Sequence, residues 1–256
     1  MKIVVIGGSG RIGEKLVFRL RREGFEVVAA SPRHGVDAVT GEGLAAALEG
    51  AEVLVDVSNS PSLDGEAALR FFGAAGRTLT AAACAAGVSR YVALSIVGTD
   101  RLQASGYFQA KRLQEALIEA SGLPFSILRS TQFFEFIAGV VQEGSAAEVV
   151  ISPALAAPIS AVDVAAALAD LALGAPLNAT VEVAGPERLR LSEVAAEVMT
   201  AYEDPRRLTA DSAAPYFGAT LDDGSLLPSP GAGIGALRFE DWLRQSLRGD
   251  EVSAGR

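Results

Sequence analysis

Tyr107 and Lys111 stand at i, i+4 in Tyr107-Phe108-Gln109-Ala110-Lys111, a spacing that places both on one face of a helix. An ammonium beside a phenol favours the phenolate and lowers the phenol pKa, so the pair is suited to protonating a carbonyl oxygen while its carbon gains a hydride. Lys111 is also placed to hydrogen-bond a nicotinamide ribose, and Ser95, upstream at the end of a strand-like run, to orient the reacting oxygen. The competing reading of so short a motif is a helix whose tyrosine packs and whose lysine is solvated. A second constellation is Gly7-Gly8-Ser9-Gly10-Arg11-Ile12-Gly13, a G-x-x-G-x-x-G between a strand-like run and a helical one. Glycine there permits a tight turn, close approach of backbone to a diphosphate, and close packing of helix on strand. The N–H groups that open the helix then hold phosphate oxygens. The competing reading is a turn that merely needs φ > 0. With strand, turn and helix all in place, dinucleotide binding through Gly7, Ser9, Gly10, Arg11, Ile12 and Gly13 is the stronger reading.

A unit that prefers NAD carries an acid at the end of its second strand to take the ribose 2′-hydroxyl. This chain has no acid between Glu26 and Asp37; the strand ends Ala29-Ala30-Ser31-Pro32-Arg33-His34. A hydroxyl and a guanidinium in that place predict NADP(H), with Ser31 and Arg33 as first contacts of the 2′-phosphate and Arg11 in support. The competing reading leaves Arg33 solvated on a loop.

The elements that must position these residues are legible in the hydrophobic pattern. Residues 3–6 form a β-branched run of the kind buried on both faces, and Ile12, Leu16, Val17 and Leu20 recur at helical spacing behind it. Further strands are predicted at 26–30, 53–57, 91–95 and 125–129, with helices at 43–49, 66–86 and 107–120 between them. Gly24, Gly50, Gly87 and Gly122 each fall where a helix ends before a strand begins. Alternating strands and helices predict an α/β fold with a Rossmann-type, doubly wound parallel sheet. Beyond residue 143 the pattern loosens. Ser160 and Asp163 read as a cap before a helix over 164–173, followed by a strand at 180–184 and a helix at 191–202. Residues 205–235, rich in Pro, Gly, Asp and Ser, read as surface loops, and Phe239, Trp242, Leu243 and Leu247 as a closing helix. The expected division is a dinucleotide-binding domain over 1–143, a small C-terminal substrate lobe over 144–248 that partly completes the sheet, and a frayed tail over 249–256.

Composition narrows the function classes. The chain has 256 residues, half of them hydrophobic, with 22 Lys+Arg against 31 Asp+Glu and a net charge of −9. That charge opposes direct nucleic-acid binding. No apolar stretch reaches the length of a membrane span. A strand starting at Lys2 leaves no room for a signal peptide, which predicts a cytoplasmic protein. One cysteine, Cys84, and one histidine, His34, cannot assemble a Cys/His metal site, so no metal is expected, and Cys84 reads as an inert thiol buried on an alanine-rich helix.

Glycine loop, Ser95, Tyr107 and Lys111 together resemble the short-chain dehydrogenase/reductase superfamily. The run GYFQAKRLQEALIEASGLPFSILRSTQFFEF over 106–136 resembles its atypical, NmrA-like NAD(P)H-binding branch, and the likeness continues through 53–62 and 158–167 to 239–243. The resemblance implies NADP(H) in a groove between sheet and lobe, with Val57, Ser58 and Asn59 beside the cofactor. Thr131, Gln132, Phe133 and Phe134, which follow the fifth strand on the rim where open α/β sheets bind ligands, are expected to line the substrate pocket. Some members of the branch reduce quinones or other carbonyl compounds; others bind the dinucleotide as redox sensors without turnover and commonly lack the tyrosine. An intact Tyr107/Lys111 pair favours a reductase of a small apolar carbonyl or quinone-type compound, with the non-catalytic sensor as the alternative. Epimerase or dehydratase chemistry on nucleotide sugars is disfavoured by the small size of the C-terminal lobe.

Overall fold

The structure, a computed structural model, describes residues 1–143 and 147–254. The first half repeats one pattern: β1 (Lys2–Ile6), α1 (Arg11–Arg22), β2 (Glu26–Ala30), a 3-10 turn at Pro32–His34, α2 (Leu44–Leu48), β3 (Val53–Asp56), α3 (Gly65–Ala85), β4 (Arg90–Ile96), α4 (Gly106–Glu119) and β5 (Phe125–Ser130). The second half is more irregular: α5 (Phe134–Glu143), β6 (Glu148–Ile151), β7 (Leu155–Ala156), α6 (Ala161–Leu173), β8 (Ala179–Ala184), β9 (Leu189–Arg190), α7 (Leu191–Ala201), β10 (Arg207–Ala210), β11 (Gly233–Ile234) and α8 (Phe239–Ala254). The main sheet runs β11-β8-β5-β4-β3-β1-β2 with every neighbour parallel, a Rossmann-type doubly wound arrangement.

Parallel strands must be covered on both faces, and the apolar positions read from the sequence do this. On one face Ile12, Leu16 and Leu20 of α1 and Val164, Leu168 and Ala172 of α6 close over Ile3, Val5 and Val55. On the other, α2, α3 and α4 cover Val4, Leu54 and Ile127, and α3 meets α4 so closely that a Cβ on Gly65 would stand 2.7 Å from the Gly106 Cα. Burying one such Leu or Ile side chain contributes about 1.5–3 kcal/mol. Gly24, Gly50, Gly87 and Gly122 all take positive φ, as the helix stops require. Ser160 caps α6 through the Asp163 N–H as its sequence predicts.

A third cluster joins α5, α7 and α8 through Ile137, Val141, Val194, Val198, Phe239 and Leu243, and small two-stranded sheets (β10 with β6, β7 with β9) complete this lobe. Here the structure departs from expectation. Residues 205–235 are not only surface loops: β10 and β11 pair with β6 and β8, and Ala214, Ala219, Leu221 and Leu226 are buried. The helix α5 has no counterpart in the sequence reading, whose expected pocket residues Thr131–Phe134 run up to its first turn. The closing helix runs from Phe239 to Ala254; residues 255 and 256 of the tail expected over 249–256 lie outside the described residues. Cys84 is exposed, not buried, because it faces away from the sheet-facing stripe of Phe72, Leu79 and Ala83 on α3. No helix among the described residues is long and apolar enough to cross a membrane.

Candidate active site

The chain order reverses between β1 and β3, and at their carboxyl ends the two following loops meet. A Cβ on Gly7 would stand 2.8 Å from the Val57 carbonyl oxygen, and one on Gly13 would stand 2.2 Å from the Gly7 carbonyl oxygen, so neither position admits a side chain without moving backbone. Helix α1 begins at Arg11 with Gly10 as N-cap and no side-chain cap. Its opening N–H groups have no acceptor within the helix and carry its positive dipole end, which is the chemistry of an anion cradle. A cleft of about 950 Å³ starts here and is lined by Gly7, Ser9, Gly10, Arg11, Ile12, Ser31, Val57, Ser58 and Asn59. Gly13 lies behind it, setting how closely α1 approaches the loop.

Around the end of β2 the expected contacts separate. Ser31 lines the cleft, but its hydroxyl is 2.8 Å from His34 Nδ1. Arg33 is exposed on the 3-10 turn and is not part of the cleft lining, because the turn after Pro32 carries it outward, whereas Arg11 is part of it. Asp37, not singled out in the sequence, also lines the cleft, with its carboxylate taken up by the Val39 N–H at 2.7 Å and the Thr40 N–H at 3.1 Å.

Further along the same cleft stand Ser95, Tyr107 and Lys111, brought from β4 and α4. Ser105 caps α4, which fixes the phase that turns Tyr107 and Lys111 inward. The phenol and the ammonium are nevertheless held separately. Tyr107 donates to Asn59 Oδ1 at 2.7 Å, so Asn59 supports the tyrosine. Lys111 Nζ donates to the Leu94 carbonyl at 2.9 Å and to the Gln114 side chain, and sits 4.5 Å from the Phe72 ring centroid. Gln114 in turn donates to the buried Asp56 at 2.8 Å. Burial pushes Tyr107 up to about 12, opposed by the Asn59 hydrogen bond, which reverses the lowered phenol pKa expected from sequence. Burial also brings Lys111 down to about 8, with Asp56 and Glu115 acting the other way. Ser95 departs from its expected role too. Its hydroxyl donates to Glu115 Oε1 at 2.5 Å, and Glu115 is clamped by Arg129 at 2.9 and 2.7 Å. With its proton committed to a carboxylate, Ser95 offers the cleft lone pairs, not a proton. Ser58 is likewise turned inward, donating to Asp56.

The far wall follows β5. Thr131, Gln132 and Phe133 line the cleft, and the Thr131 hydroxyl is spent on the Ala157 carbonyl at 2.5 Å. Phe134 does not line it: the ring is buried between Phe239 and Trp242, with centroids 5.4 Å away in each case, and belongs to the lobe core. The helical twist of α5 explains the exchange, since it presents Phe136 to the cleft instead. Tyr216 and Phe217 complete the wall; Phe217 stacks on Tyr107 at 4.9 Å and on Phe136 at 5.7 Å. They are the only aromatic residues in 205–235, the one sequence signal by which they could have been found. The arrangement can hold a dinucleotide at one end and an uncharged, flat molecule at the other, with a phenol between them.

Comparison with known proteins identifies the family and the fold. Residues 7–173 match a family model described as NAD(P)H-binding. The photosystem II assembly factor Ycf39 of Cyanophora paradoxa is 26% identical over 153 residues, 54% of this chain and 48% of that protein, so the match spans about half the relative's length. Among solved structures, dTDP-4-dehydrorhamnose reductase of Clostridium acetobutylicum is similar with a TM-score of 0.76 at 15% identity, over 97% of this chain and 100% of that one. MoeE5 in complex with UDP-glucuronic acid and NAD gives 0.78 at 19% identity, over 99% and 100%. The Bacillus anthracis dTDP-4-dehydrorhamnose reductase in complex with NADP gives 0.72 at 14% identity, over 95% and 97%. These solved structures share the fold over nearly the whole of both chains.

Proposed function

The chain belongs to the NAD(P)H-binding family, in keeping with its NmrA-like, atypical short-chain dehydrogenase/reductase sequence, and from that premise we propose that it is an NADPH-dependent reductase of small apolar carbonyl or quinone-type compounds. One observation carries the reading: Tyr107 holds its hydroxyl in a fixed hydrogen bond within the same cleft that begins at the glycine cradle. Gly7, Gly10 and the opening N–H groups of α1 would hold the diphosphate, Arg11, which lines the cleft, the 2′-phosphate, and Lys111 the nicotinamide ribose. When bound, the reduced dinucleotide supplies a hydride to the electrophilic carbon and is left oxidised. The C=O electron pair freed as that C–H bond forms takes the Tyr107 proton, giving the alcohol, or from a quinone the hydroxydienone, which tautomerises to the hydroquinone by losing that C–H proton and gaining one on its second oxygen; the phenoxide regains a proton from solvent. For an aldehyde or ketone, a phenol pushed up to about 12 is still a stronger acid than the alcohol formed, so this transfer is downhill. Substrate class follows from the wall. Arg11 and Lys111 are the cations among the described lining residues, at the glycine loop and above Asp56, so a nucleotide sugar's diphosphate would meet no cation beside Phe133, Phe136 and Phe217.

Loss of nicotinamide absorbance across a panel of quinones, aldehydes, ketones and enones tests the proposal. Turnover should fall by about 10²–10⁴-fold in Tyr107→Phe, the span expected for loss of a positioned acid. Tight NADPH binding with no turnover across the panel, and an unaltered Tyr107→Phe variant, would establish the sensor reading in its place. The stacking of Phe217 over the buried Tyr107 is the observation that favours that second reading.

A further inference from the structure

Gln132 is the most unusual polar residue in the cleft. It is 4% exposed, it lines the cavity, and neither its Nε2 nor its Oε1 has a hydrogen-bond partner. A buried primary amide left this way is costly, since it forgoes two donors and an acceptor that water would satisfy. Its backbone cannot swing away. The Gln132 carbonyl accepts from the Ile159 N–H at 2.9 Å, and Thr131 on one side and Phe134 on the other are tied to Val183 and Ile159. Tyr216, whose phenol is raised by burial and by Tyr107 and slightly eased by Gln132, faces the amide without forming a hydrogen bond of ordinary geometry. Even a closed Tyr216 contact would leave most of the amide's capacity unused.

The surroundings state what would use it. Phe217 lies sandwiched between Tyr107 and Phe136, at interplanar angles of 17° to both. It is held there with φ 49 at the tip of a turn closed by the Tyr216–Ala219 bridge, a left-handed conformation that bulky residues rarely adopt. This stack of rings lines the same cleft as Gln132, whose amide offers a donor next to an acceptor.

Resting on the reductase reading above, we propose that Gln132 is the specificity-determining residue of this site. Its amide pairs edge to edge with a flat ring compound that carries an N–H or O–H donor beside a carbonyl, a lactam or hydroxy-carbonyl edge adjoining the reducible carbonyl. No bond is made or broken at Gln132; it selects and orients the ring that receives hydride on its carbon and the Tyr107 proton on its oxygen.

Isatin and N-methylisatin test this. Both present the same reducible ketone on the same planar bicycle, but only isatin has the N–H beside a carbonyl. The protein should prefer isatin by about tenfold or more in kcat/KM, the expected cost of leaving a buried amide oxygen unpaired. In Gln132→Leu the preference should fall below about twofold, and because the unpartnered amide is gone, the ligand-free melting temperature should hold or rise by about 2–4 °C. That melting curve also verifies that the variant folds. Dissociation constants of the two compounds for the NADP⁺-saturated protein give the same ratio without turnover. An intact binding ratio with no reduction would therefore sink the reductase reading and leave the selectivity of Gln132 standing. Equal affinities in the parent, binding of neither compound, or a preference that persists in Gln132→Leu as steric exclusion would overturn the inference. So would a Gln132→Leu variant that loses about tenfold in NADPH affinity while keeping its preference, since the amide would then serve the dinucleotide's own carboxamide.

Discussion

The two ends of the cleft are built by opposite means. At the glycine loop, selection acts on backbone: Gly7, Gly10 and Gly13 matter for the side chains they lack, and the binding groups are N–H donors that any sequence would possess. At the reaction end side chains from the loop after β3, from β4, from α4, from the segment after β5 and from the 216–219 turn do the work. The glycine cradle is assembled within one strand-turn-helix unit, the reaction end from five places in the chain. A site made of local backbone is rigid and general to its cofactor, whereas one made of distant side chains can be retuned a residue at a time.

The largest expected effect lies at the local end. Gly13→Ala places a methyl 2.2 Å from the Gly7 carbonyl oxygen, and the atoms in conflict are main chain that cannot rotate away. NADPH affinity should fall by about 100-fold or more as the phosphate cradle opens, measured by titration of cofactor fluorescence. An unchanged affinity would mean that the cradle does not depend on the side chain Gly13 lacks. Arg11→Glu should have an intermediate effect, lowering NADPH affinity about tenfold while leaving NADH within a few-fold, as expected for one charge-assisted contact to a 2′-phosphate. If the same selectivity is lost in Arg33→Asp and not in Arg11→Glu, the exposed turn rather than the loop reads the phosphate. Equal NADPH and NADH affinities in the parent would remove the NADP preference altogether.

A further effect, on stability and not on binding, belongs to Lys111. Its pKa is 10.5 in a free chain and about 8 when folded, so between these values the unfolded chain holds the proton more tightly. Stability should rise as pH increases from about 8 towards 10.5, because the cost of burying an ammonium is being removed. Tyr107 acts with the opposite sign between 10 and about 12, where only the unfolded chain ionises. Urea midpoints at pH 7.5 and 9.5 should therefore differ upward in the parent and not in Lys111→Met. A parent curve that falls over this range would mean that Lys111 is not held as a buried cation.

How far the sequence could be read depended on distance along the chain. The strands at 26–30 and 125–129 and the four helix-ending glycines follow from patterns a few residues long, and the structure reproduces them. Phe134 and Phe136 show the limit. Both sit in an aromatic run after β5, and only the phase of α5 against α8 decides that the first enters the core and the second the cleft. Tyr107 and Lys111 show another: i, i+4 spacing put them on one helix face, but each side chain found a different partner, Asn59 from one loop and Leu94 from the neighbouring strand.

What the chain by itself determined is the alternating α/β order, the parallel sheet and the glycine cradle, because short-range sterics and hydrophobic period leave little choice there. Tertiary structure alone decided the state of the phenol, the direction of the Ser95 proton, the solitary amide of Gln132 and the arrival of Phe217 over Tyr107. Those depend on burial and on which distant groups share a hydrogen bond, and neither quantity exists until the chain has closed on itself.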